Sequence, residues 1–279
     1  MIAKCLFPVA GYGTRFLPAT RAVPKEMLPI LDKPLIQYGV EEAAAAGIRH
    51  MAFVTARGKG AMEDHFDDVP DVERRVQGSV AEGRLDGIRA LLDSCRFSWL
   101  RQRQMLGLGH AILCGQPLIG EEPFAAALPD DLCLHEPDGV LAQMTRVFER
   151  HGCSVVAVEE VPREATSRYG IVAGTEIDTD TLRVTDMVEK PAPDDAPSTL
   201  GIVGRYIFTP DIFGLIEATS PGAGGEIQIT DALRRQAQEG RVVALRFRGH
   251  RFDCGTLDGF VAATNHCYAL RRGDAAAAA

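Results

Sequence analysis

The chain has 279 residues, of which 46% are hydrophobic and 24% are charged, so it has enough apolar residues for a sizeable core. A formal net charge of -8 argues against broad electrostatic attraction to nucleic acid or to an anionic membrane. The sequence contains no run of the about 18 apolar residues that a membrane span needs, and its first residues lack the apolar core of a signal peptide. We therefore expect a cytoplasmic protein whose partners include neither nucleic acid nor a membrane.

The length allows one large α/β domain or two small ones, and no Pro/Gly/Ser-rich linker divides the middle of the chain. We favour one domain over residues 1–274, followed by an alanine tail at 275–279 to which we assign no function. The 7 cysteines are scattered, with no C-x-x-C pair and no Cys/His ligand spacing. We therefore expect reduced and mostly buried thiols.

The first elements are typical of a parallel α/β sheet. An apolar run at 3–10 predicts a buried strand, which passes into a glycine-rich loop. The pattern over 34–46 predicts a helix that ends near Gly47, and residues 50–55 predict the next strand. Strand, loop, helix and strand in this order open a parallel sheet.

The rest of the chain continues this alternation and then becomes richer in β-structure. Thr230 is expected to cap the start of a helix that reaches residue 238. We predict an α/β fold: a Rossmann-like, mostly parallel mixed sheet flanked by helices, with a small additional β portion. The other predicted helices cover 111–118, 140–151 and 257–270, and the other predicted strands cover 97–102, 124–128, 154–161, 170–173, 182–188, 201–208 and parts of 242–252.

The glycine-rich stretch from Gly11 to Arg15 follows the first strand, at the edge where an open α/β sheet binds ligands. The dinucleotide-binding pattern G-x-G-x-x-G fails because Phe16 occupies the place of its third glycine. The P-loop pattern G-x-x-x-x-G-K-[ST] is absent as well. The stretch is either a different phosphate loop or a plain turn with solvated charges. Arg15 and Lys25 place two cations in one connection, which favours triphosphate binding.

The stretch FPVAGYGTRFLPATRAVPKEMLPILDKPLIQY, which begins at Phe7, resembles the signature of bacterial UTP-glucose-1-phosphate uridylyltransferases, within the sugar-phosphate nucleotidyltransferase superfamily. The segments GLGHA, LPDDL, VEKP, GGEIQITD and FDCGT match further family motifs in the expected order, so the resemblance extends from Phe7 to Thr256. It implies a nucleotide-binding part at about 1–135, a sugar-phosphate-binding part at about 136–256 and a C-terminal helix at about 257–272.

This resemblance implies an enzyme that transfers the uridylyl group of UTP to glucose 1-phosphate, giving UDP-glucose and pyrophosphate. The sugar phosphate would attack the α-phosphorus in line, assisted by Mg²⁺ and without a protein nucleophile. Such enzymes are generally dimers or tetramers, so the resemblance also implies a homo-oligomer.

The resemblance assigns roles residue by residue on the nucleotide side. Arg15 grips the leaving pyrophosphate, and Lys25 contacts the phosphates at the reacting centre. Gln102 and Gly107 read the pyrimidine edge, because a side-chain amide can donate and accept hydrogen bonds at once. We keep Arg21, which replaces the usual lysine, and His110 off the site. The other implied nucleotide-binding residues are Ala10, Gly11, Gly13, Thr14 and Glu26.

On the sugar side, the resemblance implies that Glu189 accepts hydrogen bonds from glucose and that Lys190 pairs with its phosphate. Neighbours on a strand normally point to opposite faces, so both reach one ligand only if the chain is irregular just before Pro191. A surface ion pair is the alternative. Gly170 and Gly201 also match family positions near the sugar, where a missing side chain permits close approach.

Two carboxylates, Asp130 and Asp131, stand at the end of a predicted strand, where they form either an acidic turn or part of a magnesium site. The resemblance favours Asp130 as a metal ligand, with Asp131 less certain, and adds Asp253 as the second ligand. Alternatively, Asp253 orders the turn at Gly255 or caps the last helix.

Three other functions remain open. A related thymidylyltransferase would share the sugar and the mechanism, although the lettering PKEMLP favours UTP. A catalytically inactive relative that binds nucleotide sugars is disfavoured by the intact Arg15, Lys25, Asp130 and Lys190. A nicotinamide-dependent oxidoreductase is disfavoured by the missing third glycine.

Overall fold

The computed structural model describes residues 1–135 and 137–273, so the alanine tail predicted at 275–279 lies outside the described residues. The strands are β1 (Lys4–Pro8), β2 (Pro29–Ile30), β3 (Lys33–Pro34), β4 (His50–Thr55), β5 (Arg96–Arg101), β6 (Phe124–Ala127), β7 (Asp131–Leu134), β8 (Ser154–Glu160), β9 (Gly170–Glu176), β10 (Thr181–Glu189), β11 (Leu200–Phe208), β12 (Val242–Arg246) and β13 (His250–Asp253). The α-helices are α1 (Leu35–Ala45), α2 (Gly60–His65), α3 (Pro70–Val76), α4 (Asp86–Ser94), α5 (Gly107–Cys114), α6 (Gln116–Ile119), α7 (Val140–His151), α8 (Ile212–Glu217), α9 (Ile229–Gln238) and α10 (Leu257–Arg272).

Within the described part of the chain, nine strands form one sheet in the order β5-β4-β1-β6-β11-β8-β12-β10-β9. Strands β5, β4, β1 and β6 run parallel to one another, and β12 runs parallel to β8. Strand β11 is antiparallel to β6 and β8, and β10 is antiparallel to β9 and β12. The predicted mixed α/β sheet is confirmed, and its additional antiparallel portion is formed by β9, β10 and β11.

The sheet carries an apolar layer on each face because its central strands are buried on both sides. Successive residues of β1 divide between the layers: Phe7 belongs to one and Leu6 to the other. Phe53 stacks on Phe7 at 5.0 Å and on Trp99 at 4.1 Å between ring centroids. These rings join three strands of the parallel half, and continuous apolar runs of this kind are typical of parallel strands covered on both faces.

The parallel half brings several chain segments to one edge of the sheet. Strand β1 ends at Pro8, shortly before the glycine-rich loop, and β5 ends one residue before Gln102. Strand β6 ends shortly before Asp130. The antiparallel pairing of β13 with β7 then places Asp253 opposite Asp131. Residues that are far apart in the sequence thus meet at the carboxyl ends of the parallel strands, where α/β sheets bind ligands.

Two local predictions were wrong, and each has a physical cause. The helix predicted over 111–118 begins at Gly107 and divides into α5 and α6, because Pro117 has no N–H to continue the hydrogen-bond ladder of α5. Thr230 does not cap α9 but lies inside it, and its hydroxyl donates to Glu189 Oε2 at 2.6 Å. Strand β7 was not predicted, because it forms by pairing with β13, a segment far away in the sequence.

All 7 cysteines are free: six are buried and Cys114 is half-buried, as predicted. Among the described residues, no helix is both long enough and apolar enough to cross a membrane.

One buried ion pair fastens the sheet to the helices behind the site. Arg205 of β11, 1% exposed, donates to Glu42 Oε2 from Nε at 3.0 Å and from Nη2 at 2.8 Å. Its Nη1 donates to the carbonyl of Leu128, at 3.0 Å, two residues before Asp130. The other oxygen of Glu42 accepts from the backbone N–H of Leu141 at 3.0 Å. Arg205 therefore fixes the position of the end of β6 relative to α1.

We expect Arg205→Met to lower the free energy of unfolding by about 3 to 5 kcal/mol, because it leaves the buried Glu42 carboxylate without a counter-charge. Urea unfolding would measure the change. In the double variant Glu42→Gln/Arg205→Met no buried charge is left, and the glutamine oxygen still accepts from Leu141. We therefore expect most of the stability to return; a double variant as unstable as the single one would contradict this account.

Candidate active site

A cavity of about 710 Å³ opens at the carboxyl ends of the parallel strands. Its walls come from the glycine-rich loop, the turn between β6 and β7, the ends of β10 and β13, and the first residues of β9 and α9. The predicted site residues that line it are Arg15, Asp130, Asp131, Gly170, Glu189, Lys190 and Asp253.

An ion pair beside this cavity joins the connection after β1, which carries Lys25, to the turn between β6 and β7, which carries Asp130. Lys25 Nζ donates to Asp130 Oδ2 at 2.6 Å. Burial lowers the pKa of Lys25, but Asp130 and Glu26 outweigh burial, so the pKa lies above its ordinary value. Burial also raises the pKa of Asp130, but the attraction of Lys25 outweighs it, and the pKa lies below its ordinary value. Both groups are therefore charged near neutral pH.

The glycine-rich loop folds directly over Lys25, and Gly13 makes this possible. Gly13 has a φ of 67°, and a side chain there would bring its Cβ to 2.9 Å from the Cβ of Lys25. The hydroxyl of Thr20 donates to the Gly13 carbonyl at 2.8 Å and closes the loop. The loop is therefore an ordered element that packs on a cation, which supports the phosphate-loop interpretation over a plain turn.

Asp130, Asp253 and Arg15 converge on Gly255. A methyl group on Gly255 would lie 3.0 Å from Asp253 Oδ1, 3.1 Å from Asp130 Oδ2 and 3.3 Å from Arg15 Nη1. The two carboxylates thus face one position. Among the described residues no group of three or more His, Cys, Asp or Glu side chains is arranged to hold a metal ion. Two carboxylates suit Mg²⁺, which keeps several waters and takes further oxygens from phosphates.

Asp253 also orders the turn at Gly255, which is the alternative role considered for it in the sequence. Its Oδ1 accepts from the backbone N–H of Gly255 at 3.1 Å, so it orders that turn, while Thr256 caps α10. Its Oδ2 accepts from Arg168 at 2.8 Å.

Asp131 uses both carboxylate oxygens inside the protein. Its Oδ2 accepts from the backbone N–H of Gly204 at 2.7 Å, and its Oδ1 accepts from Arg251 Nε at 2.5 Å. Arg251 also donates to Glu159 at 2.8 Å and to the hydroxyl of Tyr169 at 3.0 Å. Asp131 therefore fastens the wall of the cavity, and we leave it out of the proposed metal site.

On the sugar side, both Glu189 and Lys190 line the cavity although they are neighbours. The chain is irregular at the expected place: Lys190 has a φ of 47°, which turns its side chain back to the face that Glu189 uses. Lys190 Nζ lies 3.1 Å from Glu189 Oε1. A Cβ at Gly170 would lie 2.9 Å from the hydroxyl of Thr230, so only glycine leaves room there. Gly201 packs against the ring of Tyr169 and is not part of the cavity lining.

On the base side, Gln102 is 5% exposed and lies against the start of α5. Its Nε2 donates to His110 Nδ1 at 2.8 Å and, more weakly, to the Gly107 carbonyl at 3.4 Å. Gly107 has a φ of 90°, and a Cβ there would lie 2.8 Å from Glu226. The two predicted base-reading residues are thus adjacent, and Gly107 cannot carry a side chain without displacing the segment before α9.

Glu26 forms a buried ion pair that the sequence did not reveal. Lys59 Nζ donates to Glu26 Oε2 at 2.6 Å, and both side chains are almost fully buried. Burial raises the pKa of Glu26, against the attraction of Lys59, and burial lowers the pKa of Lys59. The second oxygen, Oε1, has no hydrogen-bond partner among the described residues. A buried acceptor of this kind is costly unless a ligand satisfies it.

The other predicted nucleotide-binding residues follow β1. Ala10 is buried, Gly11 is exposed with open space around its Cα, and Thr14 begins a short 3-10 turn that includes Arg15. Arg21, which we kept off the site, is exposed and does not line the cavity.

Residues 8–269 match the family model described as "Nucleotidyl transferase". The chain belongs to the nucleotidyl transferase family. It is 61% identical over 269 residues to a UTP-glucose-1-phosphate uridylyltransferase of Pseudomonas aeruginosa, covering 96% of both chains. The crystal structure of an apo UDP-glucose pyrophosphorylase is similar, with a TM-score of 0.95, 54% identity and coverage of 97% of this chain and 100% of the other. A UDP-glucose pyrophosphorylase complexed with UDP-glucose has a TM-score of 0.90 and 53% identity, with coverage of 96% and 99%.

Among the residues of this nucleotidyl transferase that line the cavity without having been selected by the sequence analysis are Arg168, Thr230 and Arg251. Arg168 adds an exposed cation beside Asp253, and Thr230 holds Glu189. Each acts through a partner between 41 and 120 positions away in the chain. Only the resemblance around their partners, Asp253, Glu189 and Asp131, could have pointed to them.

We expect Lys25→Ala to lower kcat of the nucleotidyl transfer by about 100-fold to 1000-fold, because it removes a positive charge from the reacting phosphates. Initial rates of pyrophosphate release would measure this. Arg21→Ala is the matched control: it removes an exposed cation of the same connection and should change kcat less than about threefold. Near-normal turnover of Lys25→Ala would contradict the assignment.

Proposed function

We propose that this protein transfers the uridylyl group of UTP to glucose 1-phosphate, with UDP-glucose and pyrophosphate as products. The observation that carries the proposal is one cavity lined by Arg15, Asp130, Glu189 and Lys190, with Lys25 bound to Asp130 beside it. Two sets of phosphate-binding cations fit two phosphorylated substrates. One set lies next to the glycine-rich loop, and the other lies next to a carboxylate suited to sugar hydroxyls. The relatives named for this activity support the choice of substrates.

The reaction that fits this arrangement is a direct displacement. A phosphate oxygen of glucose 1-phosphate attacks the α-phosphorus of UTP in line, the P–O bond to the β-phosphate breaks, and pyrophosphate leaves with the electron pair. Arg15 and Lys25 bind the triphosphate, while Lys190 holds the attacking phosphate and Glu189 orients the sugar. The rate enhancement comes from holding two polyanions together and from offsetting the charge of the transition state.

The attacking phosphate is already ionised near neutral pH, so the reaction needs no general base. In keeping with this, no histidine is among the described residues that line the cavity.

We assign a Mg²⁺ site to Asp130 and Asp253, whose carboxylates face one position beside Arg15. When bound there, the ion would neutralise charge on the phosphates and orient them. Lys25 and Arg168 each donate to one of these carboxylates. The protein thus supplies each of the two aspartates with a counter-charge of its own.

We further propose that the enzyme works in the cytoplasm as a homo-oligomer, a dimer or a tetramer. The 7 free cysteines fit a reducing compartment. Leu257, Val261 and Tyr268 lie on one side of α10 and are 66%, 50% and 53% exposed, which fits a face that a second copy covers. Light scattering coupled to size exclusion would test the assembly: a monomer at micromolar concentration would contradict it.

The central test is pyrophosphate release from the purified protein with Mg²⁺ and glucose 1-phosphate, comparing UTP, dTTP, ATP, CTP and GTP. We expect a strong preference for UTP. A preference for dTTP would keep the fold and mechanism but overturn the base assignment. No release with any nucleotide would instead favour an inactive relative that binds nucleotide sugars. The Lys25→Ala protein, prepared in the same way, controls for a contaminating enzyme.

We expect Asp253→Asn to raise the Mg²⁺ concentration that gives half-maximal activity by at least about tenfold, because a ligand of the ion is lost. Titrating Mg²⁺ at saturating substrates would measure it. Asp258→Asn is the matched control, since Asp258 also lines the cavity but is exposed on α10. Equal Mg²⁺ dependence in the two variants would show that Asp253 only orders the Gly255 turn.

A further inference from the structure

We propose that His110 is a positioning residue that fixes the amide of Gln102 and thereby makes the site select a uracil over a cytosine. The inference rests on the proposed function, because it takes Gln102 as the residue that reads the base.

Gln102 is held in place at both of its ends. It is 5% exposed and follows the last residue of β5, and its backbone N–H donates to the Thr55 carbonyl at 2.8 Å. Its side-chain nitrogen lies 2.8 Å from His110 Nδ1 and 3.4 Å from the carbonyl oxygen of Gly107. The backbone fixes where the side chain starts, and these two partners fix how the amide plane is turned.

The neighbours of the amide decide which of its ends faces them. The Gly107 carbonyl can only accept a hydrogen bond, so the amide nitrogen, and not the oxygen, faces it. The same nitrogen faces His110 Nδ1, which must then be an unprotonated acceptor. The histidine proton consequently lies on Nε2, which is 3.7 Å from the sulfur of Cys114, a weak acceptor. This arrangement is self-consistent only when His110 is a neutral imidazole with its proton on Nε2.

With the nitrogen engaged, Gln102 presents its oxygen Oε1 to a ligand. Oε1 only accepts hydrogen bonds, and N3 of uracil carries the hydrogen that it needs. N3 of cytosine is itself an acceptor, so cytosine would place two acceptors face to face. A site built for a hydrogen-bond donor rejects an analogue that lacks it, because its own polar group is left unpaired. Thymine has the same N3–H as uracil, so His110 does not distinguish UTP from dTTP.

Without an acceptor at position 110, only the long 3.4 Å contact with the Gly107 carbonyl still holds the amide nitrogen of Gln102. The amide can then turn over and present its nitrogen to a ligand, where it donates to N3 of cytosine. Leu and Asn branch at Cγ as His does, but only Asn has an oxygen near the place of Nδ1. We therefore compare His110→Leu with His110→Asn. The ratio of kcat/KM for UTP to that for CTP is the readout, and each Tm is recorded as a check on folding.

We expect His110→Leu to lower the UTP/CTP ratio by at least about tenfold, by raising activity with CTP as well as lowering it with UTP. His110→Asn should keep the ratio within about threefold of the unsubstituted protein. The UTP/dTTP ratio and the KM for glucose 1-phosphate should not change in either variant. A residue that only supported α5 would lower Tm and all activities together and leave the ratios unchanged.

The proposal is overturned if His110→Leu retains the UTP/CTP ratio, or if His110→Asn loses it to the same extent. Calorimetric Kd values for UTP and CTP on the same proteins give the ratio independently of turnover. If the unsubstituted protein transfers no uridylyl group, the proposed function fails, whereas the calorimetric ratio still decides the role of His110.

Discussion

The contact between Lys25 and Asp130 is the interaction on which the site depends. Lys25 enters from the connection after β1, and Asp130 from the end of β6, 105 residues later in the chain. Each side chain favours the charged form of the other against the effect of burial. The protein therefore holds in direct contact the cation and the carboxylate to which the proposed function assigns the phosphates and Mg²⁺. Arg168 and Asp253 form a second ion pair beside Gly255.

The surrounding strands and ion pairs hold these charged side chains in place. Parallel strands bring the glycine-rich loop and Asp130 to one edge, and Arg205 binds the carbonyl of Leu128 from beneath. Asp131, held by Arg251 and by the backbone of Gly204, fixes the next residue of the same turn. Neighbouring aspartates thus divide two roles: the proposed function assigns Asp130 to the metal, whereas both carboxylate oxygens of Asp131 are engaged by the protein. Preorganisation of this kind removes reorganisation that would otherwise be required during the reaction.

Elements whose signal is local were predictable from the sequence. The strand at His50–Thr55 and the helix at Val140–His151 have the predicted bounds because their apolar periodicity is set by nearby residues. Family motifs pointed to Asp130 and Glu189, which line one cavity, and to Lys25, which contacts Asp130; their roles stay predictions. Partnerships across the chain were not predictable: Lys59 meets Glu26 over 33 positions, and Arg251 meets Asp131 over 120. His110, only eight positions from Gln102, was kept off the site because such a histidine is more often structural than catalytic, and its contact with Gln102 depends on side-chain geometry.

In the proposed function, the cavity binds both substrates at once and joins them by a single in-line displacement, with cations and no protein nucleophile. The stereochemical course at the α-phosphorus tests this most directly. With UTP that carries sulfur in place of one α-phosphate oxygen in a single configuration, one displacement inverts the phosphorus centre in the UDP-glucose product. Inversion is the predicted result. Retention would require two displacements and a covalent nucleotidyl-protein intermediate, and would contradict the roles given to Lys25, Asp130 and Lys190.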